Sequence, residues 1–180
     1  GTSTASGTVQ STPAVKGWQA VTTSGSPTMT GVSQVRFESF NWGAPKFALV
    51  DGINPAATYD GSTYTQITHA QAPTDPTLVA AFQNHLFLAG DPAEPYNLYF
   101  SAPIAETNFD PAAGAGVINV GFKVVQIKAF RDQLFIFGTN NIKRLVGDNQ
   151  ANFVLQNVTN NLGCIAPDSV SEFNGEIVFL

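Results

Sequence analysis

The sequence predicts an all-β fold, and three observations predict it. Short apolar runs rich in Val, Ile and Phe alternate with polar turn residues along most of the chain. In Val125–Val158 four such runs, VQIKAF, QLFIFG, NIKRLVG and FVLQNV, follow one another through tight connections, the pattern of a four-stranded antiparallel meander. The pattern also repeats. A Phe closing one strand precedes a polar turn and a second apolar strand: Phe40 before KFALVDG, Phe82 before LFLAG, Phe130 before LFIFG and Phe173 before IVFL. The steps between these Phe are 42, 48 and 43 residues. Four-stranded units recurring at about 40–50 residues are the sequence pattern of β-propeller blades, each stacking its apolar faces on the blades beside it. The usual family labels are missing: Trp42 precedes Gly43 rather than Asp, and there is no double-Gly kelch mark.

The elements follow in order. Residues 1–33 are rich in Ser, Thr and Gly and read as a flexible arm or linker, in which Trp18 could anchor a short strand. Residues 34–70 form the first blade, with QVRFESF alternating and KFALVDG mostly apolar. Asp60-Gly61 signals a two-residue hairpin, and Asp51-Gly52 a turn; neither carries the acidic ladder of a calcium loop. Residues 78–122 form the second blade, from LVAAF, LFLAG, NLYFSA and VINVG. Residues 125–158 form the third, and a fourth opens from 163 with GCIAPDSVSEFNGEIVFL. Core positions should include Phe47, Leu49, Leu86, Leu88, Leu134 and Ile136, and almost no helix is expected. The four closing Phe should be equivalent from blade to blade. The chain starts at Gly1 and stops at Leu180 inside what should be a second strand, which leaves an unpaired edge. The expectation is a piece of a longer polypeptide, or a processed product whose partner piece completes the sheet.

Composition narrows the function classes. The 180 residues suffice for one sizeable core. Charged residues make up 12%, about half the usual share, which suits surfaces covered by partners. The net charge of −5 and the lack of any basic run beyond Lys143-Arg144 argue against a nucleic-acid-coating role. No apolar run reaches membrane-helix length, and no signal-peptide pattern is present.

Chemistry-bearing motifs are missing from the sequence. Cys164 is the single cysteine and reads as a small buried hydrophobe on a strand edge. His69 and His85 have no metal-pair spacing, and His85 reads as a solvated turn residue. The Gly114-Ala115-Gly116 run leads into β-branched residues rather than a helix, so it holds no phosphate. Asn157-Val158-Thr159 matches a glycosylation acceptor, a frequent chance pattern. The 13 acidic residues are scattered, and no GxSxG, P-loop or zinc spacing occurs. No catalytic, metal-ligating or cofactor-binding residue is assigned, and an enzyme is not expected.

The wording of the hairpins resembles a known family. FQNHLFLAG, NLYFSAP and NFDP, then VVQIKAFRDQLFIFGTNNIKRLVGD, then NLGCIAPDSVSEFNGEIVFL, are similar to the propeller-core structural proteins of bacteriophage tails. The likeness is to the nozzle, or tail tubular, proteins of short-tailed phages. It covers about residues 34–180 and leaves out Gly1–Ser33. The resemblance implies a virion protein made in the host cytoplasm. It would form a homo-oligomeric ring, sixfold in that family, among adaptor, portal and fibre proteins, with DNA only in transit and no membrane. An anionic wall would not trap DNA phosphates. Two alternatives stand beside it: a head-closure or DNA-retaining plug, and a carbohydrate-binding propeller of the host-recognition apparatus. The loops Pro103–Gly116 and Gly147–Phe153 are the candidates for subunit contacts, because blade loops project from the sheets.

Overall fold

The computed structural model describes residues 20–31 and 34–180. The expected anchoring role of Trp18 lies outside these residues. The fold is all-β, with two short 3-10 turns at Pro111–Ala113 and Pro167–Ser169 as the helical content described. Three sheets follow one another along the chain. Sheet 1 contains β1 (Thr22–Ser24), β2 (Arg36–Asn41), β3 (Pro45–Val50), β4 (Ala57–Tyr59) and β5 (Thr63–Gln66). Sheet 2 contains β6 (Leu78–Phe82), β7 (His85–Ala89), β8 (Asn97–Phe100) and β9 (Gly116–Asn119). Sheet 3 contains β10 (Gln126–Phe130), β11 (Gln133–Phe137), β12 (Ile142–Val146) and β13 (Val154–Thr159). A hairpin of β14 (Ser171–Phe173) and β15 (Glu176–Val178) comes last. Sheets 2 and 3 are antiparallel meanders in sequence order, and none of the sheets closes on itself.

Sheet 1 departs from the four-stranded expectation. Part of the Ser/Thr-rich arm is built into it: β1 adds as a parallel strand beyond β5, pairing Thr22 with Thr63 and Ser24 with Thr65. The strap that follows packs Met29 on the cluster of Tyr59 and Tyr64 and is tied down by polar groups. Thr30 donates to Asn54 Oδ1 (2.7 Å), Asn54 Nδ2 donates back to Thr30 O (3.0 Å), and Gln66 donates to Thr28 O (3.0 Å).

The sheets stack face to face, and a separate apolar core fills each interface. Call the face that meets the following sheet the front, and the other the back. The front of sheet 1 (Phe40, Ala48, Val50) packs on the back of sheet 2 (Val79, Leu86, Leu88). The front of sheet 2 (Ala80, Phe82, Phe87) packs on the back of sheet 3 (Ile127, Leu134, Ile136). The front of sheet 3 (Phe135, Phe137) packs on Ile177 and Phe179 of the last hairpin, with Cys164 between them. Strand alternation puts successive residues on opposite faces, so a sheet buried on both sides reads as the unbroken run HLFLA, all buried in β7.

The closing Phe occupy matching places. Phe82 pairs with His85, Phe130 with Gln133 and Phe173 with Glu176, each across a two-residue turn. The turns need the left-handed backbone: φ is 47° and 62° at Gln83 and Asn84, 52° at Arg131, and 50° and 76° at Asn174 and Gly175. Phe40 differs, because its hairpin runs one pair further to Asn41–Pro45 and turns through Trp42, Gly43 and Ala44. Phe40 therefore pairs with Lys46, three residues later than the other hairpins would have it. The register nevertheless keeps Phe47 and Leu49 on the back of sheet 1, at the places of Leu86 and Leu88 and of Leu134 and Ile136. This corrects the expected core of sheet 1: Ala48 and Val50 on the front are buried in the stack, while Phe47 and Leu49 are half-buried because, among the described residues, no sheet packs on that back. Leu86, Leu88, Leu134 and Ile136 are fully buried as expected.

Candidate functional site

The inner strands of the three sheets lie side by side, with β6 between β2 and β10. Their starting ends, together with the segment leading into β14, converge on one small cleft of about 400 Å³. Arg36 organises it. Its Nη1 donates to Thr77 O (3.0 Å) just before β6, and its Nε and Nη2 both reach Asp168 Oδ1 (2.9 Å each) just before β14. Gln34 donates to the other oxygen of Asp168 (2.9 Å), and Gln126 at the start of β10 donates to Pro167 O (2.8 Å). The guanidinium of Arg36, then the amide of Gln34, hold the Asp168 carboxyl below its ordinary value. One fork thus joins the first sheet to the last hairpin across the starts of the strands between them. Lys123, exposed, completes the rim beside Pro92, Pro95 and Pro167.

Along the same strands Glu38 accepts from Ala81 N–H (3.4 Å). Burial raises the Glu38 carboxyl above its ordinary value, against the opposing pull of the Ala81 N–H and the charge of Lys128. The inner strands thus carry Arg36, Glu38, Lys128 and Glu172, a balanced set rather than an acidic one.

A second cleft, of about 470 Å³, opens between Ala70–Thr74 and sheet 2 and contains Asp91, Glu94 and Tyr99. Its carboxylates are already engaged. Asp91, buried, accepts from the N–H groups of Thr74 (2.9 Å), Asp75 (3.1 Å) and Ala93 (2.9 Å) and from the Thr74 hydroxyl (3.2 Å). Burial opposes its ionisation, yet these four donors win and the carboxyl lies below its ordinary value. Glu94 takes a hydrogen bond from the Asn97 amide. This is the chemistry of a latch holding the loop between sheets, not of an acid–base pair.

The residues singled out in the sequence fall as follows. His85 is fully buried, which corrects the solvated-turn expectation. As the first residue of β7 it shares the front face with Phe87, where the rings of Phe87, Phe100 and Phe153 enclose it. Its Nδ1 lies 2.5 Å from Ser101 O, which can only accept, so Nδ1 carries the proton and Nε2 is a bare buried acceptor. His69 takes the Gln71 N–H on Nδ1 (3.3 Å). Cys164 is buried and free, and lies in the loop after β13 rather than on a strand. Asp51 and Asp60 make side-chain turns: Asp51 Oδ1 accepts from Ile53 and Asn54, and Asp60 Oδ1 from Ser62 and Thr63. The Thr63 and Ser62 donors bring the Asp60 carboxyl down to about 2. The link after β4 is therefore longer than a two-residue turn, with Tyr59 paired to Tyr64.

The two long loops fold back onto their own chain. Glu106 forms an ion pair with Lys46 of sheet 1 (2.6 Å), and Phe109 enters the core between sheets 1 and 2. Gln150 donates to Ala115 O (2.7 Å), which ties the second loop to the first. Among the described residues no group of His, Cys, Asp or Glu is arranged to hold a metal ion, and no helix is long and apolar enough to cross a membrane. No protein-family model matches the chain, and the curated proteins include no match to it.

Proposed function

We propose that this chain is a structural protein of a bacteriophage tail, a nozzle-type ring subunit around the DNA exit channel, and that its sheets are blades of a β-propeller. The single observation that carries the reading is the repeat itself. Successive sheets stack front to back with β2, β6 and β10 as neighbouring inner strands, in the stretch whose wording resembles tail proteins. Such a role needs a rigid wall, not a reactive site, and the buried and cleft carboxylates Asp91 and Glu94 are spent on local hydrogen bonds. The channel wall in this reading is charge-balanced along the inner strands, so DNA would pass a surface that neither grips nor strongly repels it. The exposed tips of the two long loops, around Ile104 and Gln150, remain the proposed subunit contacts. No catalytic residue, cofactor or metal belongs to this reading.

Imaging intact virions at side-chain resolution tests it. A ring of copies between portal and tail tip is the expected result. A soluble monomeric hydrolase, whose turnover disappears on replacing Asp91 or Glu94, would overturn it.

A further inference from the structure

Among the described residues, His85 is the one whose side chain is fully buried and carries an unanswered polar atom. Three rings from three elements enclose it. Phe87 stands two residues along β7, Phe100 ends β8, and Phe153 comes from the loop before β13. Their centroids lie 6.3, 5.6 and 5.2 Å from the imidazole. The rings also meet one another, Phe153 lying 5.7 Å from Phe87 and 5.2 Å from Phe100. None offers a lone pair to Nε2. The Ser101 hydroxyl is already engaged, taking the Leu86 N–H (3.0 Å) and donating to Ala102 O (2.9 Å).

The charged groups of the packed elements are turned elsewhere. Asp148, on the Phe153 loop, accepts from the side-chain amides of Asn149 and Asn152 (2.6 Å each). Glu106, on the loop after β8, pairs with Lys46. Arg144 of β12 lies on the far face of sheet 3, donating to Gln133 (3.2 Å) and Gln156 (3.0 Å). Lys143, on the near face, donates to Val120 O (2.7 Å), and Asp132 in the β10–β11 turn is exposed.

A neutral imidazole takes its second proton on the bare nitrogen, here Nε2. The resulting charge would be buried with no acceptor, a cost that is relieved when water enters. Phe153 is the ring that can give way. Phe87 and Phe100 are buried in paired strands, whereas Phe153 is half-buried and precedes its strand. Its loop, residues 147–153, is bonded to itself as a unit. Asn152 Oδ1 accepts from the N–H groups of Asp148 (2.9 Å) and Asn149 (3.0 Å), and the Phe153 N–H goes to Asn149 O (3.0 Å). Gly147 opens it at a φ of 109°. We propose that His85 makes this loop acid-sensitive: a proton from solvent adds to Nε2, and the loop carries Phe153 off the imidazole so that water meets the new charge. The device goes beyond the tail reading and stands or falls without it. Neutral imidazole fits the closed loop and imidazolium the open one. Opening therefore grows as pH falls past the ordinary value of an exposed imidazole, about 6.5.

Amide exchange on the 180-residue chain tests it, read as protection factors so that the pH dependence of the intrinsic rates drops out. Protection at 148–153 should fall about tenfold from about pH 7.5 to about pH 5.5, the span over which an exposed imidazole charges, while β11 changes little. His85→Phe should abolish this fall. Glu38, whose carboxyl is raised by burial, accepts from Ala81 and is untouched in that variant, so a proton taken there would leave the fall in place. A second measurement decides if His85→Phe does not fold. His69→Gln leaves His85 as the one histidine, and its nitrogen-15 spectrum should show the Nδ1–H tautomer at neutral pH. Conversion to imidazolium should then follow the same curve as the loss of loop protection. An acid-insensitive loop, the same fall in His85→Phe, or imidazolium formed while 148–153 stay protected overturns the inference.

Discussion

Asp91 shows how one side chain can hold two segments together without a salt bridge. Its carboxylate gathers donors from Thr74, Asp75 and Ala93 at the exit of β7. Removing it strands backbone N–H groups in a buried site, so Asp91→Ala should cost about 1–3 kcal/mol, read as a lower urea midpoint. The pH dependence has a definite sign. The folded carboxyl lies below its ordinary value of 3.8, so the folded state binds that proton less readily than the unfolded chain. The stability it contributes is present above the ordinary value and is lost as pH falls through the folded one. Asp91→Asn should remove that part of the acid dependence, which a series of urea titrations between neutral and acid pH would reveal. His85 is the opposite case, a polar group buried with one nitrogen unanswered. His85→Phe removes the bare acceptor but leaves the buried Ser101 O without its donor, and should cost about 1–3 kcal/mol without opening a cavity. His85→Ala opens a cavity among Phe87, Phe100 and Phe153 and should cost about 2–4 kcal/mol. Thermal unfolding of the two variants side by side separates these outcomes.

At the scale of elements, neighbouring sheets and close approaches decide what each strand buries. Leu134, at the heart of β11, is fully buried, and Leu134→Ala should cost about 2–5 kcal/mol in chemical denaturation. Gly163 shows a tighter constraint. Its α-carbon faces the backbone of Gly138, Thr139 and Asn140 with no room for a β-carbon, while the next residue, Cys164, donates its N–H to Gly138 O (2.8 Å). Gly163→Ala should therefore cost about 1–3 kcal/mol and loosen the entry to the last hairpin, measurable as faster amide exchange at Cys164. The strands themselves were legible in the sequence, because Val, Ile and Phe at period two mark them whatever surrounds them. Three things were not. The half-burial of Phe47 and Leu49 comes from the lack, among the described residues, of a sheet behind sheet 1, which no apolar pattern announces. Strand β1 is the run TTS, exposed throughout and held by backbone pairing, so hydrophobicity carries no trace of it. The burial of His85 comes from Phe153 of the next sheet, a neighbour set by stacking and not by the turn in which His85 sits. The Arg36–Asp168 cleft was hidden for the same reason, since its two partners stand 132 residues apart.

For the whole molecule, the stack of separate cores sets the order in which parts come loose. Each interface is filled by residues of adjacent sheets and of the loops beside them, so the molecule resembles a short repeat array in which neighbours stabilise neighbours. Sheet 2 has a sheet on both sides and holds the fully buried β7; among the described residues the last hairpin meets a sheet on its back only, and its strands are mostly exposed. Amide exchange at neutral pH should then be slowest in β7 and β11 and fastest in β14 and β15. The Arg36–Asp168 fork is the feature that works against this gradient. It ties the weakest element to the first sheet through Gln34 and Arg36, at the end where the inner strands begin. The pair is partly exposed, so its net worth is small, on the order of 0–1 kcal/mol. That amount still decides a local opening whose own free energy is low, whereas it barely alters global unfolding. Asp168→Asn should speed exchange in 165–178 by a few-fold, leave β7 unchanged, and shift the thermal midpoint little. Added salt should reproduce the effect in the wild type, because it screens an exposed pair. Equal acceleration in β7 and β15 would mean that the hairpin opens only with the whole stack, and would remove the fork from this role.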